Sequence, residues 1–422
     1  MGTIVQMDMY QSAGVGVLAL LLGILLTRLL PFLKRFCIPA PVSGGLLVSC
    51  VTLALFSLCG VECRFDGTIK DLCMMLFFTS VGFQSDLKML KKGGRPLIIM
   101  IVLVAVLIAS QNMISVGIAR GLGLSPLFGM AAGSIPMCGG HGTSGGFAPL
   151  LEQMGLKGAT TITMAAATFG LVAGSLLGGP LGGALIRKRR LEAQSPVAQT
   201  SVSPGTQIKA QTSVSPAPES EPGTPGTTPH STSHSLREWL TAACLLFMSM
   251  ALGTLMSRLL SSTGITFPTY FGSLLVACLI RNLIGISPKL TERIVTGKEM
   301  SIGEISLQLF LGMAMASLRL WELASLALPL CLILAAQVLF MALYAAYVAF
   351  PLLGKDYDSA VLVSGLCGFG LGATPNAMAN MSAVCYKYHY SARPFIIVPI
   401  IGAMFVDIIN TGVITFFLNI IR

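Results

Sequence analysis

Residues 133–149 read GSIPMCGGHGTSGGFAP and lie between two long apolar segments. Six glycines, a histidine and three hydroxyls in this run do not make an ordinary membrane-crossing helix. How the chain accommodates such a stretch decides its architecture.

The surroundings are strongly apolar: 54% of residues are hydrophobic, 10% are charged, and the mean hydropathy is +0.80. A soluble chain of 422 residues does not tolerate that composition. Apolar windows near the ~20 residues needed to span hydrocarbon recur along almost the whole length. They are continuous and lack two-residue alternation, so the expected fold class is an all-α polytopic membrane protein, not a barrel. No cleavable signal peptide is expected, because the first ten residues hold no Lys or Arg and the first apolar run continues to about Leu30. The formal charge of +10 does not point to nucleic acid, since the basic residues sit between spans. The eleven cysteines lie mostly in apolar segments and read as small buried hydrophobes; Cys59 and Cys63 are near enough in sequence to pair.

Ten spans are expected, at 11–32, 43–60, 71–87, 96–119 and 158–186, then 238–260, 268–286, 301–320, 325–352 and 393–418. Each set of five carries an extra Gly-rich polar segment, 125–155 in the first and 358–388 in the second. Residues 191–236 join the halves. They contain seven prolines among Ser, Thr, Gln and Gly, and partly repeat themselves in TSVSPGT at 200 and TSVSPAP at 212. Such a stretch buries too little apolar surface to offset its ordering entropy and reads as a disordered linker. The expected organisation is therefore a 1–190 repeat, the linker, and a 237–422 repeat.

Three correspondences in one order argue for that internal repeat. GLLVSCV at 45 parallels SLLVACL at 273, LFFTSVGFQSDL at 76 parallels LFLGMAMASLRL at 309, and MCGGHGT at 137 parallels LCGFGLGAT at 366. Five spans is an odd number, so the second repeat is inserted upside down. Placing the linker and the RKRR of 187–190 inside puts both termini outside. It also leaves 20 of the 27 basic residues on the inner side, as the positive-inside rule asks. Inverted repeats with interrupted elements mark secondary transporters.

In this topology segment 125–155 leaves and returns on the outer side, and 358–388 on the inner. Apolar shoulders such as LSPLFGMAAGSI favour re-entrant hairpins over surface loops, so two tips are expected to meet near the midplane. Irregular backbone there leaves peptide groups needing partners, glycine lets a ligand approach the main chain, half-helix N-termini attract carboxylates, and unwound carbonyls coordinate sodium. The expected substrate-binding residues are Gly139, Gly140, His141, Gly142, Thr143 and Ser144 on one tip, with Gly370, Gly372, Thr374, Pro375 and Asn376 on the other. By contrast, the glycines of FGLVAGSLLGGPLGG in the fifth span read as helix packing. His141 alone reads more readily as a hydrogen-bonded structural residue than as a proton carrier.

Asp407 is the one acidic residue well inside a span, where an aspartate costs roughly 2.5–3.5 kcal/mol and demands a partner. It reads as a cation ligand with Asn410, the alternative being a structural pair with a polar neighbour. Ser134, Ser364 and Asn380 complete the expected sodium ligands. Gln111, Asn112 and Gln337 read as interhelical hydrogen-bonding groups, and Arg319 and Glu322 as markers of the interface. GTSG at 142–145 matches an intramembrane serine protease pattern, but no second histidine falls within a span; an aspartyl protease needs two intramembrane aspartates. No filter repeat or charge ring supports a channel.

SIPMCGGHGTSGG, ATFGLVAGSLLGGP, LWELASLALPL, CGFGLGATPNAMANM and GAMFVDIIN resemble the bacterial sodium/glutamate symporter family through both halves. The resemblance implies Na⁺-driven uptake of glutamate across the inner membrane, two inverted five-span repeats with re-entrant hairpins, a homodimer, and elevator-type movement. It places the vertex at Gly139–Thr143 and at Gly370, Gly372, Thr374 and Pro375, and matches Asp407 and Asn410 to the last-span pattern. Cys138 departs from an expected serine, Leu366 from a histidine in a similar protein, and Asn376 from the usual threonine. The runner-up is a Na⁺-coupled symporter of citrate-like carboxylates. Na⁺ is expected as the co-transported ion, with no organic cofactor, no enzymatic activity, and the lipid bilayer as surroundings.

Overall fold

A computed structural model of the chain describes residues 3–36, 38–85, 90–191, 231–262, 268–287, 295–323 and 326–421. Most of the expected linker, residues 192–230, lies outside the described residues. Its last part is helical instead: a helix starts at Ser231, because Arg237 and Glu238 follow within two turns and let the apolar helix run on past the hydrocarbon into polar sequence.

The first half runs β1 (Thr3–Gln6), α1 (Met9–Leu29), α2 (Pro31–Arg35), α3 (Ala40–Cys59), β2 (Val61–Arg64), α4 (Thr68–Gln84), α5 (Leu90–Gly121), three short helices α6 (Pro126–Ala131), α7 (Ser134–Met137) and α8 (Gly140–Gln153), and α9 (Ala159–Arg189). The second runs α10 (Ser231–Ser261), α11 (Thr269–Ile284), α12 (Lys298–Ala316), α13 (Leu320–Leu323), α14 (Ala327–Tyr344) leading through a π-turn at Ala345–Ala349 into α15 (Phe350–Leu353), then α16 (Tyr357–Gly370), α17 (Thr374–Lys387) and α18 (Ala392–Ile400), which passes through a second π-turn at Ile401–Phe405 into α19 (Val406–Ile421). The protein is thus a polytopic all-α membrane protein. Among the described residues, six helical stretches are long and apolar enough to span, at Met9–Leu29, Ala40–Cys59, Gly94–Gly121, Ala159–Arg189, Leu236–Leu260 and Ala327–Leu353. Tyr270–Ile284 and Val406–Ile421 are shorter apolar helices.

The remaining expected spans, α4 and α12, are less apolar and have much of their surface packed on other helices. α4 packs on α12, α1 and α3 pack on α12, and α10 and α11 pack on α4, so each half's leading helices lie against the other half's third. Without a hydrophobic drive between helices in lipid, close backbone approach supplies the contact energy. A Cβ on Gly44 would fall 1.8 Å from the Ala19 carbonyl, and one on Gly272 would fall 2.2 Å from the Gly253 carbonyl. The two crossings sit at matching places in the two halves.

Two ends of the bundle are defined by their polar contacts. At one, β1 and β2 pair in parallel, Arg319 reaches Glu62 at 3.5 Å, and the Arg319 N–H donates to Thr161 Oγ1 at 3.3 Å. At the other, Asn282 donates to the Ser85 carbonyl (2.7 Å), Lys298 lies 4.0 Å from Glu238, and Arg187 donates to the Tyr388 hydroxyl (3.2 Å). The short parallel strand pair has no counterpart in the sequence reading; Asp8 ends it by capping α1 in a reciprocal box with Gln11. Cys59 and Cys63 are both free thiols.

Candidate functional site

The opening stretch breaks into three helices for visible reasons. Ser125 caps α6 and Pro126 starts it. Gly133 then passes so close to α5 that a Cβ there would fall 2.6 Å from both Asn112 Oδ1 and Ser115 Oγ. The freed Ser134 N–H donates to Asn112 Oδ1 (2.9 Å), while the Ser134 carbonyl accepts from Asn410 Nδ2 (3.1 Å). Amides from α5 and α19 thus hold both peptide groups of Ser134, the first residue of α7. Gly140 starts α8 with φ +59°, a left-handed conformation that glycine adopts without strain.

The second Gly-rich segment is a helix pair. Asp356 caps α16, accepting from the Ser359 N–H at 2.8 Å, and its Gly370 carbonyl accepts from Gln111 Nε2 at 2.7 Å. Gln337 Nε2 in turn donates to the Gln111 carbonyl (2.7 Å), so both glutamines are interhelical hydrogen-bonding groups. Asn376 Nδ2 donates to the Leu171 carbonyl (2.8 Å) and Asn380 Nδ2 to that of Gly174 (2.9 Å). These bonds fasten α17 to α9, whose glycines face the pair: a Cβ on Gly170 would lie 2.1 Å from the Leu371 carbonyl, and one on Gly178 2.2 Å from Asn380 Nδ2. Of the fifth-span glycines, Gly170, Gly174, Gly178 and Gly182 are packing residues.

The two vertices touch. A Cβ on Gly140 would stand 2.9 Å from the Gly372 carbonyl. The N-termini of α8 and α17 therefore point into one region, each bringing the positive end of a helix dipole and N–H groups without intrahelical acceptors. Around them Gly139, Gly142, Thr374 and Asp407 are half-buried and Pro375 is exposed, amid neighbours that are buried. Thr374 packs on Gly402 in the second π-turn, where a Cβ would meet Thr374 Oγ1 at 2.2 Å. Gly142 faces Phe77, and Thr143 folds back onto Gly139.

Oxygen atoms collect beside this region. Asp407, Asn410 and Thr411 share one face of α19 at i, i+3 and i+4. The Asp407 carboxylate has no hydrogen bond or ion pair among the described residues, and it lies within electrostatic reach of Cys138 and Tyr270. Ser134 Oγ and Asn410 Oδ1 are buried without a hydrogen-bond partner, and the buried Tyr270 and Thr411 hydroxyls face each other beside them. Such orphaned oxygens are costly unless something binds them. Tyr270 is fully buried, stacked on Phe78 at 3.7 Å between ring centroids and seated against Gly146.

The expected sodium ligands thus fall into two groups. Ser134 and Asn410 are joined by a hydrogen bond, and Asp407 lies one turn before Asn410 on the same helix face, with Thr411 and Tyr270, which the sequence reading did not single out, close by. Thr411 was legible four residues after Asp407; nothing in the sequence marks Tyr270. Ser364 and Asn380 sit together on the other vertex, against Gly178 of α9, with Ser364 Oγ also unpartnered. His141 Nε2 lies 3.0 Å from Thr168 Oγ1. The Thr168 hydroxyl gives its proton to the Met164 carbonyl (2.9 Å), so the network assigns the donated proton of the other contact to His141 Nε2. Ser144 Oγ donates to the Thr163 carbonyl (3.4 Å), not to a histidine.

A family profile described as sodium/glutamate symporter matches residues 5–390. The chain belongs to the sodium/glutamate symporter family. It is 40% identical over 410 residues to a sodium/glutamate symporter of Escherichia coli (strain K12), covering 95% of each chain, and equally similar to that of Shigella flexneri. It is 36% identical over 411 residues to that of Haemophilus influenzae, covering 96% of this chain and 95% of the relative. Membership of a symporter family makes this symporter a transporter and sets the protease readings aside.

Proposed function

We propose that this chain takes up glutamate with Na⁺ across the bacterial inner membrane, by alternating access around the two touching vertices. The observation that carries the reading is the contact of Gly140 with Gly372, which brings two half-helix N-termini together among half-buried residues. Two positive helix ends suit the carboxylates of a dicarboxylic amino acid, and the adjacent orphaned oxygens suit a hard alkali cation. Gly139–Ser144, Gly370, Gly372 and Thr374–Asn376 form the substrate surface. Asp407, Asn410 and Ser134 bind Na⁺ together with Thr411 and Tyr270, while Ser364 and Asn380 offer a second oxygen group.

The same reading makes the segments 125–155 and 358–388 re-entrant hairpins of two inverted repeats. Reciprocal packing of α1 and α3 on α12 and of α10 and α11 on α4 supports it, as do the matched Gly44 and Gly272 crossings. Both termini then lie outside and the linker lies in the cytoplasm. The hairpins with α5, α9, α14 and α19 form the unit that moves in an elevator-type cycle against the remaining helices, and two copies form a homodimer.

Uptake of labelled glutamate into proteoliposomes, with and without an inward Na⁺ gradient, tests the function. Gradient-dependent accumulation is expected. Uptake indifferent to Na⁺ contradicts the coupling, and uptake competed by citrate but not by unlabelled glutamate contradicts the substrate.

A further inference from the structure

The oxygen-bearing residues beside the vertices do not all stand on the same body. Ser134 lies on the first Gly-rich segment, and Asp407, Asn410 and Thr411 lie on α19, so all of them belong to the unit that moves in the proposed cycle. Tyr270 does not. It sits in the first turn of α11, which packs on α4 and α10 among the helices left behind.

The reach of Tyr270 across the boundary is closely built. Its ring stacks on Phe78 of α4 at 3.7 Å, meets Phe147 of α8 edge-on at 6.1 Å, and fills the place where a side chain on Gly146 would stand. The Phe310 ring of α12 fills the same place at Gly145, and a Cβ on Gly142 would lie 3.1 Å from the Phe77 ring of α4. Beyond this notch the Tyr270 hydroxyl faces that of Thr411, with Asp407 in electrostatic reach. Sliding α8 along the stationary helices therefore takes the ring out of its notch and the hydroxyl away from α19 in one motion.

The other vertex helix is covered differently. Pro375, Ala379, Ser382 and Ala383 of α17 are exposed. Ala379 is the sixth residue of α17, as Gly145 is of α8, yet Gly145 is buried under an aromatic ring. In the proposed topology α8 runs outward from the vertices and α17 inward. The outer arm is closed by stationary rings and the inner arm is open, so Tyr270 reaches the oxygen group in an inward-open state.

A ligand shifts a two-state equilibrium only through interactions that differ between the states. Groups that travel together keep the same geometry around a bound cation in both; a group on the stationary side does not. Resting on the transport reading above, we propose that Tyr270 is the positioning residue that makes Na⁺ binding depend on the state of the carrier. Its hydroxyl, held by the stationary helices, completes the cation site in the inward-open state, and Na⁺ bound without glutamate holds the moving unit there. Passage of Na⁺ without substrate is thereby suppressed, as coupled transport requires.

Tyr270→Phe keeps the ring, its stacking and its fit against Gly146, and removes only the hydroxyl. The state is read with Ala379→Cys in the full-length protein in nanodiscs, following maleimide modification of that one peptide by mass spectrometry so that the native cysteines stay in place. Replacing choline with Na⁺ at constant ionic strength, without glutamate, should raise the labelling rate about fivefold, the lower end of usual couplings between a ligand and a conformation. Adding Tyr270→Phe should abolish that rise. An equal Na⁺ response with and without the hydroxyl overturns the proposal, as does no response in the parent. A merely structural hydroxyl would instead lower the melting temperature and leave the Na⁺ response intact. Efflux of radioactive sodium from glutamate-free proteoliposomes supplies the second arm: Tyr270→Phe should raise it several-fold, and an unaltered leak overturns the holding role. Neither arm uses glutamate, so failure of gradient-driven glutamate uptake by the unsubstituted chain counts against the transport reading, and is told apart from failure of this proposal.

Discussion

Asn410 donates its side-chain amide to the main-chain carbonyl of Ser134 at 3.1 Å, across 276 residues of sequence. One bond thereby ties the last helix to the first Gly-rich segment, while Asn410 Oδ1 and Ser134 Oγ are left buried and unpartnered beside it. Two unpaired oxygens at one junction suit a cation. Asn410→Ala should raise the Na⁺ concentration for half-maximal uptake about tenfold, given roughly 1–3 kcal/mol for disturbing a buried polar group. Titration of uptake against Na⁺ checks it, with the size-exclusion profile of the purified variant as the folding control. An unaltered Na⁺ requirement contradicts the assignment.

Asp407→Asn keeps shape and hydrogen-bonding capacity but removes the charge. Since Asp407 has no ion pair among the described residues, the substitution spares folding and weakens Na⁺ binding. Yield in membranes and Na⁺ affinity are measured side by side. Equal loss of both would instead mark Asp407 as structural.

Gly178 and Gly179 make an internal comparison one residue apart. A Cβ on Gly178 collides with Asn380 Nδ2 at 2.2 Å, whereas one on Gly179 meets nothing within 4 Å. Gly178→Ala should destabilise by about 1–3 kcal/mol through overpacking, and Gly179→Ala should be neutral or slightly stabilising. Thermal unfolding of the two purified variants reads the difference; equal melting temperatures would refute the packing of α9 on α17.

Gly140→Ala places a side chain at φ +59° and 2.9 Å from the Gly372 carbonyl. The strain costs about 1–2 kcal/mol, which a folded bundle survives. Because the added methyl enters the contact between the vertices, glutamate uptake should drop more than tenfold while the melting temperature moves only a few degrees. Near-normal uptake would move the site elsewhere.

Much of this was written in the chain. Glycine runs flanked by apolar shoulders located both broken segments, because irregular backbone inside a membrane needs glycine and pays in hydrophobic neighbours. GLLVSCV and SLLVACL announced equivalent crossings, and Gly44 and Gly272 just before them make those crossings. Other features depend on distant partners and left no local trace. Tyr270 looks like any tyrosine at a helix start until Gly146 and Phe78 enclose it. The division of Ser364 and Asn380 from Asp407 follows from how α9 and α19 each seize one vertex, which spacing along the sequence does not encode. The π-turn at Ile401–Phe405, two residues before Asp407, was equally hidden, since its residues are ordinary helix formers apart from Gly402.

The most direct test of the central claim is the structure of the full-length protein in nanodiscs with glutamate and Na⁺ bound. Glutamate density between Gly140–Thr143 and Gly372–Asn376, with a cation beside Asp407 and Asn410, is the expected result. Substrate density away from both vertices, with the two left in the same contact and the oxygens still unpartnered, would contradict it.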